Sequence, residues 1–122
     1  MLIGGAEAVV AGPRARLALA RGRLDEAERL MPTPQNLRES HSWHTLQGAA
    51  ARLDVLAALG DRKQVQAEAP VLGIPGTYLE PFALRALALV EEDETLLERA
   101  IDRFEAMSLD WHADETRKLA QR

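Results

Sequence analysis

The sequence has no cysteine and no long hydrophobic run. Without cysteine in its 122 residues, disulfides, thiolate catalysis and cysteine-type zinc sites are excluded. No apolar run approaches the roughly 20 residues needed to span a bilayer. Residues 1–5 lack the basic segment and the apolar core of a secretory signal. We therefore expect a cytoplasmic protein that makes no membrane contact.

A net basic charge is also missing, and aromatic residues are few. The formal charge is -4 at pH 7, whereas non-specific binding of nucleic acid depends on a basic face. Direct binding of nucleic acid is therefore not expected. Aromatic residues make up 4% of the chain, and the hydrophobic fraction of 47% comes mainly from alanine, leucine and valine. Because alanine and leucine are strong helix formers, the composition predicts an all-α fold.

The clearest element is a helical hairpin predicted over residues 77–107. Its first helix is capped within the segment TYLE at residues 77–80, the start we prefer, or has Glu80, before Pro81, as its first residue. In its first half, Leu84, Leu87 and Ala88 fall on one helical face. In its second half, apolar residues recur at spacings of three and four, as on one side of an amphipathic helix. These residues are Leu96, Leu97, Ala100, Ile101, Phe104 and Met107.

The two halves of this hairpin are separated by an acidic run at residues 91–94. The run lies at the positive end of the second helix, where acidic side chains are stabilising, and its spacing matches no calcium loop. Thr95 and Glu98 have the spacing of a capping box, in which each side chain satisfies an unpaired backbone donor. We interpret the segment as a helix start rather than as a cation site.

Proline and glycine divide the N-terminal half of the chain. Pro13 can stand in the first turn of a helix that Gly22 closes, and Asp25 is a suitable N-cap for a short second helix. These two helices form a predicted hairpin over residues 13–31. Two prolines then make the clearest break in the chain, at Pro32 and Pro34.

A long helix is predicted from residue 34 to about Leu59. Asp61, with Gln64 three residues on, then starts another helix, which completes a hairpin over residues 34–69. After the hairpin over 77–107, Asp110 is the expected cap of a terminal helix over residues 110–121. We expect all of these elements to form a single domain, residues 1–122.

The turns between predicted helices share a pattern. A helix ends at small or acidic residues, and an alanine follows one turn into the next helix, as in the segment GRLDEAE at residues 22–28. Ala88, Ala100 and Phe104 follow a small-small-large order. These features resemble the tetratricopeptide repeat, in which small residues let paired helices approach closely. The resemblance implies antiparallel helix pairs stacked as a short right-handed solenoid.

The C-terminal stretches 97–107 and 111–117 are similar to the last helices of tetratricopeptide-like regions in large bacterial ATPase regulators. Those regulators include LuxR-type transcriptional activators and nucleotide-cyclase proteins. The ATPase, cyclase and DNA-binding motifs of these families are absent from the sequence. The resemblance implies a module for protein–protein interaction or self-association within a bacterial signalling or transcriptional regulator.

The partner of such a module would be another protein, flanking domains of the same regulator, or a second copy in a homodimer. Selectivity would come from arginine and glutamate at the rim of a helix-lined groove. The alternative is a sensor domain that binds a small effector in a pocket between helices.

No catalytic, cofactor or metal site is predicted, and we do not expect an enzyme. His41 and His44 have a spacing that can place two imidazoles on one metal, with Glu39 nearby. Zinc normally takes three or four protein ligands, and the spacing fixes no third one. Ser40 and Ser42 lack the glycines of a nucleophile elbow.

Two tryptophans and a basic cluster supply the candidate partner-binding residues. Large aromatic side chains in a stack of this composition are most often core residues; otherwise Trp43 or Trp111 is an exposed anchor, since tryptophan is enriched in binding hot spots. Arg14 and Arg21 belong to a cluster that is either a solvated face or a surface for an acidic peptide, and His44 adjoins the first tryptophan. The candidates are Arg14, Arg21, Trp43, His44 and Trp111.

Overall fold

The computed structural model describes residues 12–33 and 43–121, and these residues contain helices and no strand. The all-α prediction is therefore confirmed for this part of the chain. None of its helices is long and apolar enough to cross a membrane. The helices in chain order are α1 (residues 12–20), α2 (Leu24–Leu30), α3 (Trp43–Ala58), α4 (Arg62–Leu72), α5 (Glu80–Glu91), α6 (Glu94–Ala106) and α7 (Asp110–Ala120).

The chain divides into two compact units, Met1–Gly60 and Asp61–Arg122. The first unit contains α1, α2 and α3, and the second contains α4 to α7. The hairpin predicted over residues 34–69 would join α3 to α4, which belong to different units, and part of it lies outside the described residues. That hairpin and the single-domain organisation stay predictions.

Small side chains form the centre of the first unit. Ala15 and Ala18 of α1 are buried against Ala27 of α2 and Val55 of α3. Gly22 follows α1 with a φ of 71°, a left-handed conformation that glycine adopts without a steric penalty, so the predicted turn is present. Larger side chains close the cluster while remaining partly exposed: Leu19, Leu30, Met31 and Leu59.

Helices α1 and α3 run in the same direction. Near the start of α1, a Cβ built on Gly12 would lie 3.6 Å from the Cα of Gly48 in α3. Further along both helices, Arg16 Nη1 donates to Asp54 Oδ2 at 2.6 Å. Because the second contact lies further along both helices than the first, α1 and α3 are parallel.

In the second unit, α5 packs against both α4 and α6, and α6 packs against α7. Helices α5 and α6 are antiparallel, since Glu80 at the start of α5 contacts Arg103 near the end of α6. The hairpin predicted from residue 77 therefore contains two paired helices, and the first begins at Glu80, the alternative start, rather than with a cap at Thr77. The Thr77 hydroxyl donates instead to the carbonyl of Ile74 at 2.7 Å.

The core-facing side of α5 agrees only in part with the predicted one. Leu84 and Leu87 are only partly buried, whereas Phe82, Ala83 and Ala86 are buried. Phe82, Ala83 and Ala86 are covered because α5 packs against both α4 and α6, and a single stripe of apolar residues does not indicate this. The small-small-large positions are all buried, at Ala88, Ala100 and Phe104.

Of the caps predicted for α2, α4, α6 and α7, one agrees with the structure and three differ. The Asp61 carboxylate accepts from the backbone N–H of Gln64 at 3.2 Å, as predicted. The capping box at Thr95 and Glu98 is wrong: Asp93 caps α6, accepting from the N–H of Leu96 at 3.1 Å. The predicted caps Asp25 and Asp110 are also wrong, because both lie inside their helices, in the first turn. Acidic side chains there still favour the positive helix end.

Gly73 brings the end of α4 against α5. A Cβ built on Gly73 would lie 2.6 Å from the Cβ of Ala83, and this neighbour is buried. We expect Gly73→Ala to lower the free energy of unfolding by about 1–3 kcal/mol, because the two backbones must move apart. Urea denaturation followed by circular dichroism measures the change.

The matched control is Gly12→Ala, at a position where the added Cβ would meet nothing closer than 3.5 Å. Alanine is also the better helix former, so this variant should be at least as stable as the parent. An equal loss in both variants would contradict the steric explanation for Gly73.

Candidate functional site

Aromatic rings meet where α5, α6 and α7 come together in the second unit. Phe82 of α5 contacts Phe104 of α6 edge to face, with ring centroids 5.0 Å apart. His112 of α7 lies edge-on to Phe82 at 4.8 Å and is stacked on Phe104 at 5.3 Å. Tyr78 extends the group, with its ring centroid 5.0 Å from that of Phe82. One ring from each helix therefore takes part in the cluster.

Arg85 places a positive charge within this aromatic cluster and is only 5% exposed. Its guanidinium carbon lies 5.4 Å from the centroid of Phe82 and 4.8 Å from that of Phe104, within range of a favourable cation–π interaction. Its Nη1 donates to Thr116 Oγ1 at 3.1 Å, and both terminal nitrogens lie 3.5 Å from His112 Nδ1. The charge is thus stabilised by groups from α5, α6 and α7.

The Thr116 hydroxyl also serves two neighbours. It accepts from Arg85 and donates to the backbone carbonyl of His112 at 2.6 Å. When the ring proton of His112 is on Nε2, Nδ1 is free to accept from the guanidinium. Among the described residues, every buried side-chain nitrogen and oxygen has a hydrogen-bond partner. The polar side chains of the cluster therefore form a hydrogen-bonded network in which no buried polar atom lacks a partner.

A second ion pair fixes α5 to α6 beside this network. The Glu80 carboxylate is largely buried, and its Oε1 accepts from Arg103 Nε at 2.7 Å and from the backbone N–H of Gly76 at 3.2 Å. The carboxylate stands in the first turn of α5, where the helix dipole also favours a negative charge. This pair holds the turn before α5 and the last part of α6 in a fixed position.

The structure places the predicted partner-binding residues on exposed surfaces. Trp43 is 54% exposed and Trp111 is 60% exposed, so the interpretation of these tryptophans as core residues is wrong. Trp111 stands in the first turn of α7, where fewer neighbouring turns are available to cover it. His44 follows Trp43 in α3 and is exposed.

Arg14 and Arg21 are exposed, and their spacing places them on one side of α1. Trp111 belongs to the second unit, where its ring lies edge-on to His112 with centroids 4.9 Å apart. Trp111 therefore directly adjoins the aromatic cluster.

The predicted histidine pair lies partly outside the described residues. His41 falls in that region together with Glu39, Ser40 and Ser42, and only His44 is described. Within residues 12–33 and 43–121, no group of three or more histidine, aspartate or glutamate side chains is arranged to hold a metal ion.

No family model, curated protein or solved structure matches this chain. What the cluster does within the second unit is mechanical: it links three helices through rings, a guanidinium and a hydroxyl, and it holds the helix that carries Trp111.

The sequence-based prediction missed the polar members of this cluster. Arg85 is the lone charged residue in the otherwise apolar run of residues 81–90. A single charge in a helix that is apolar on most sides indicates a buried, paired group, so this signal was present. The partners His112 and Thr116 lie 27 and 31 residues further on, and nothing local in the sequence indicates them.

Proposed function

We propose that this chain is a tetratricopeptide-like helical module that binds other proteins within a bacterial signalling or transcriptional regulator. The helix directions support it. In the first unit α1 and α3 are parallel, and in the second unit Phe82 lies beside His112 and Arg85 beside Thr116, so α5 and α7 are parallel. A parallel third helix after each hairpin is what the stacking of helical repeats requires.

The exposed indole of Trp111 is the observation that carries the binding function. Its neighbour His112 is held by Arg85 and by the ring of Phe104, so the first turn of α7 presents the indole from a rigid base. Trp111 also shares one side of α7 with the exposed charged residues Asp114 and Lys118. An apolar anchor with a charged rim is the usual anatomy of a protein-binding surface.

Site-specific photo-crosslinking tests this function in cells of the host organism. A photoreactive amino acid at position 111 should yield a discrete crosslinked species, whose second protein is identified by mass spectrometry. The matched control is position 120, an exposed alanine nine residues further along α7, and therefore on the opposite side of the helix. Crosslinks of equal yield at both positions, or none at 111, would contradict the proposal.

The partner identified in this way should bind the Trp111→Ala variant about 30-fold or more weakly than the parent chain. That factor corresponds to the loss of about 2 kcal/mol that defines a binding hot spot. Titration calorimetry with the purified proteins measures it. Because the indole is mostly exposed, the substitution should leave the thermal unfolding of the chain unchanged.

A further inference from the structure

One side of α1 carries two arginines with a leucine between them. Arg14, Leu17 and Arg21 are spaced three and four residues apart, so they share a side of the helix. The N–H of Arg21 still donates to the carbonyl of Leu17 at 3.1 Å, which extends the helical geometry to this residue. Leu17 is 50% exposed, and neither arginine forms an ion pair with another described residue. We call these three residues the basic face.

The exposed side of α6 has the opposite charge at matching positions. Glu98, Ile101 and Glu105 have the same three- and four-residue spacing, and Asp102 stands beside the isoleucine. The three acidic side chains are exposed and Ile101 is partly buried. Glu105 also pairs with Arg117 but remains 50% exposed. We call these four residues, Glu98, Ile101, Asp102 and Glu105, the acidic face.

We infer that two copies of this chain bind one another by docking the basic face of α1 of one copy on the acidic face of α6 of the other. The inference goes beyond the proposed function, because neither face includes Trp111. With the two helices parallel, Arg14 meets Glu98, Leu17 meets Ile101 and Arg21 meets Glu105. Seven residues of helix rise about 10.5 Å, so both charge pairs form in one register. Arginine suits this role because its guanidinium binds a carboxylate through two parallel hydrogen bonds.

The distribution of charge favours a second copy as the occupant. The first unit has seven basic and six acidic residues, a net charge of +1, and the second has eight basic and thirteen acidic residues, a net charge of -5. Units of opposite sign attract the unlike unit of another copy and repel the like one. Since the two faces are different surfaces, the contact is of the heterologous type.

A contact of one helix with one helix lies at the small end of protein interfaces and is governed by exposed charges. Association should therefore require high protein concentration and should weaken as salt screens the pairs. In low salt, light scattering coupled to gel filtration should give a mass that rises above 13.4 kDa with concentration. At about 0.5 M salt the mass should return to that of one chain.

Two charge-reversed variants test the faces directly. In one, Arg14→Glu is combined with Arg21→Glu; in the other, Glu98→Arg is combined with Asp102→Arg, which leaves the Glu105–Arg117 pair in place. For each variant alone, the Kd for self-association should be at least about tenfold higher than that of the parent chain. An equimolar mixture should regain association, because the intact basic face of the second variant then meets the intact acidic face of the first.

The control combines Arg29→Glu with Arg62→Glu, which changes the net charge as much as the first variant does, at exposed positions outside both faces. It should associate as the parent chain does, and circular dichroism should show all three variants folded. A parent chain that is monomeric at every protein and salt concentration overturns the inference. So does a mixture of the two variants that fails to regain association, or a control variant that loses association. None of these results affects the crosslink at position 111, so the two proposals fail separately.

Discussion

Replacing Phe104 by alanine is expected to lower the free energy of unfolding by about 3–5 kcal/mol. The side chain is fully buried in the second unit. Its ring contacts Phe82 edge-on, is stacked on His112 and lies 4.8 Å from the guanidinium carbon of Arg85. The vacated space would be bordered by side chains of α5, α6 and α7, so the cavity can close only if helices move against one another.

Urea denaturation followed by circular dichroism measures this loss, which is a large part of the 5–15 kcal/mol that stabilises a typical domain. Phe104→Leu keeps most of the apolar volume and should cost only about 1–2 kcal/mol. Thr95→Ala is the control on the same helix, since its side chain is exposed and does not cap α6; it should change stability by less than about 0.5 kcal/mol. A loss below about 1 kcal/mol for Phe104→Ala would contradict the central position assigned to the ring.

The sequence predicted the helical class and several buried positions because these depend on local periodicity. Ala100 and Phe104 are spaced four residues apart, so they share one side of α6 wherever that helix packs. The predicted cap of α6, Thr95, lies two residues after the observed cap, Asp93. Both residue types are suitable N-caps, and which one caps the helix depends on where the helix begins.

The exposure of Trp111 and the burial of Arg85 cannot be predicted from the residue pattern of one helix. An apolar side chain predicts burial only if a neighbour covers it, and the first turn of α7 leaves Trp111 largely uncovered. A charged side chain predicts exposure unless partners satisfy it, and Arg85 has His112 and Thr116 from a helix more than 20 residues away. Both outcomes depend on the packing of α7, which residue patterns within one helix do not specify.

Arg85 is expected to stabilise the second unit more through the space it fills than through its charge. Arg85→Ala should lower the free energy of unfolding by about 2–4 kcal/mol, because it removes hydrogen bonds of a charged donor and empties the space between two phenyl rings. Arg85→Met should lose less than half as much. Its unbranched side chain can occupy the same space, and replacing a buried charge by an apolar group of similar volume is often neutral.

Chemical denaturation of both variants and of the parent chain shows whether the volume or the charge of Arg85 stabilises the fold. Arg99→Ala removes an exposed arginine from α6 and is the control for loss of a surface charge. A methionine variant as unstable as the alanine variant would assign the stabilisation to the hydrogen bonds of the guanidinium. Thr116 Oγ1 can keep its bond to the carbonyl of His112 in either variant, and His112 is only partly buried, so water can satisfy its Nδ1. The comparison therefore separates the charge of Arg85 from its volume without leaving a second buried group unsatisfied.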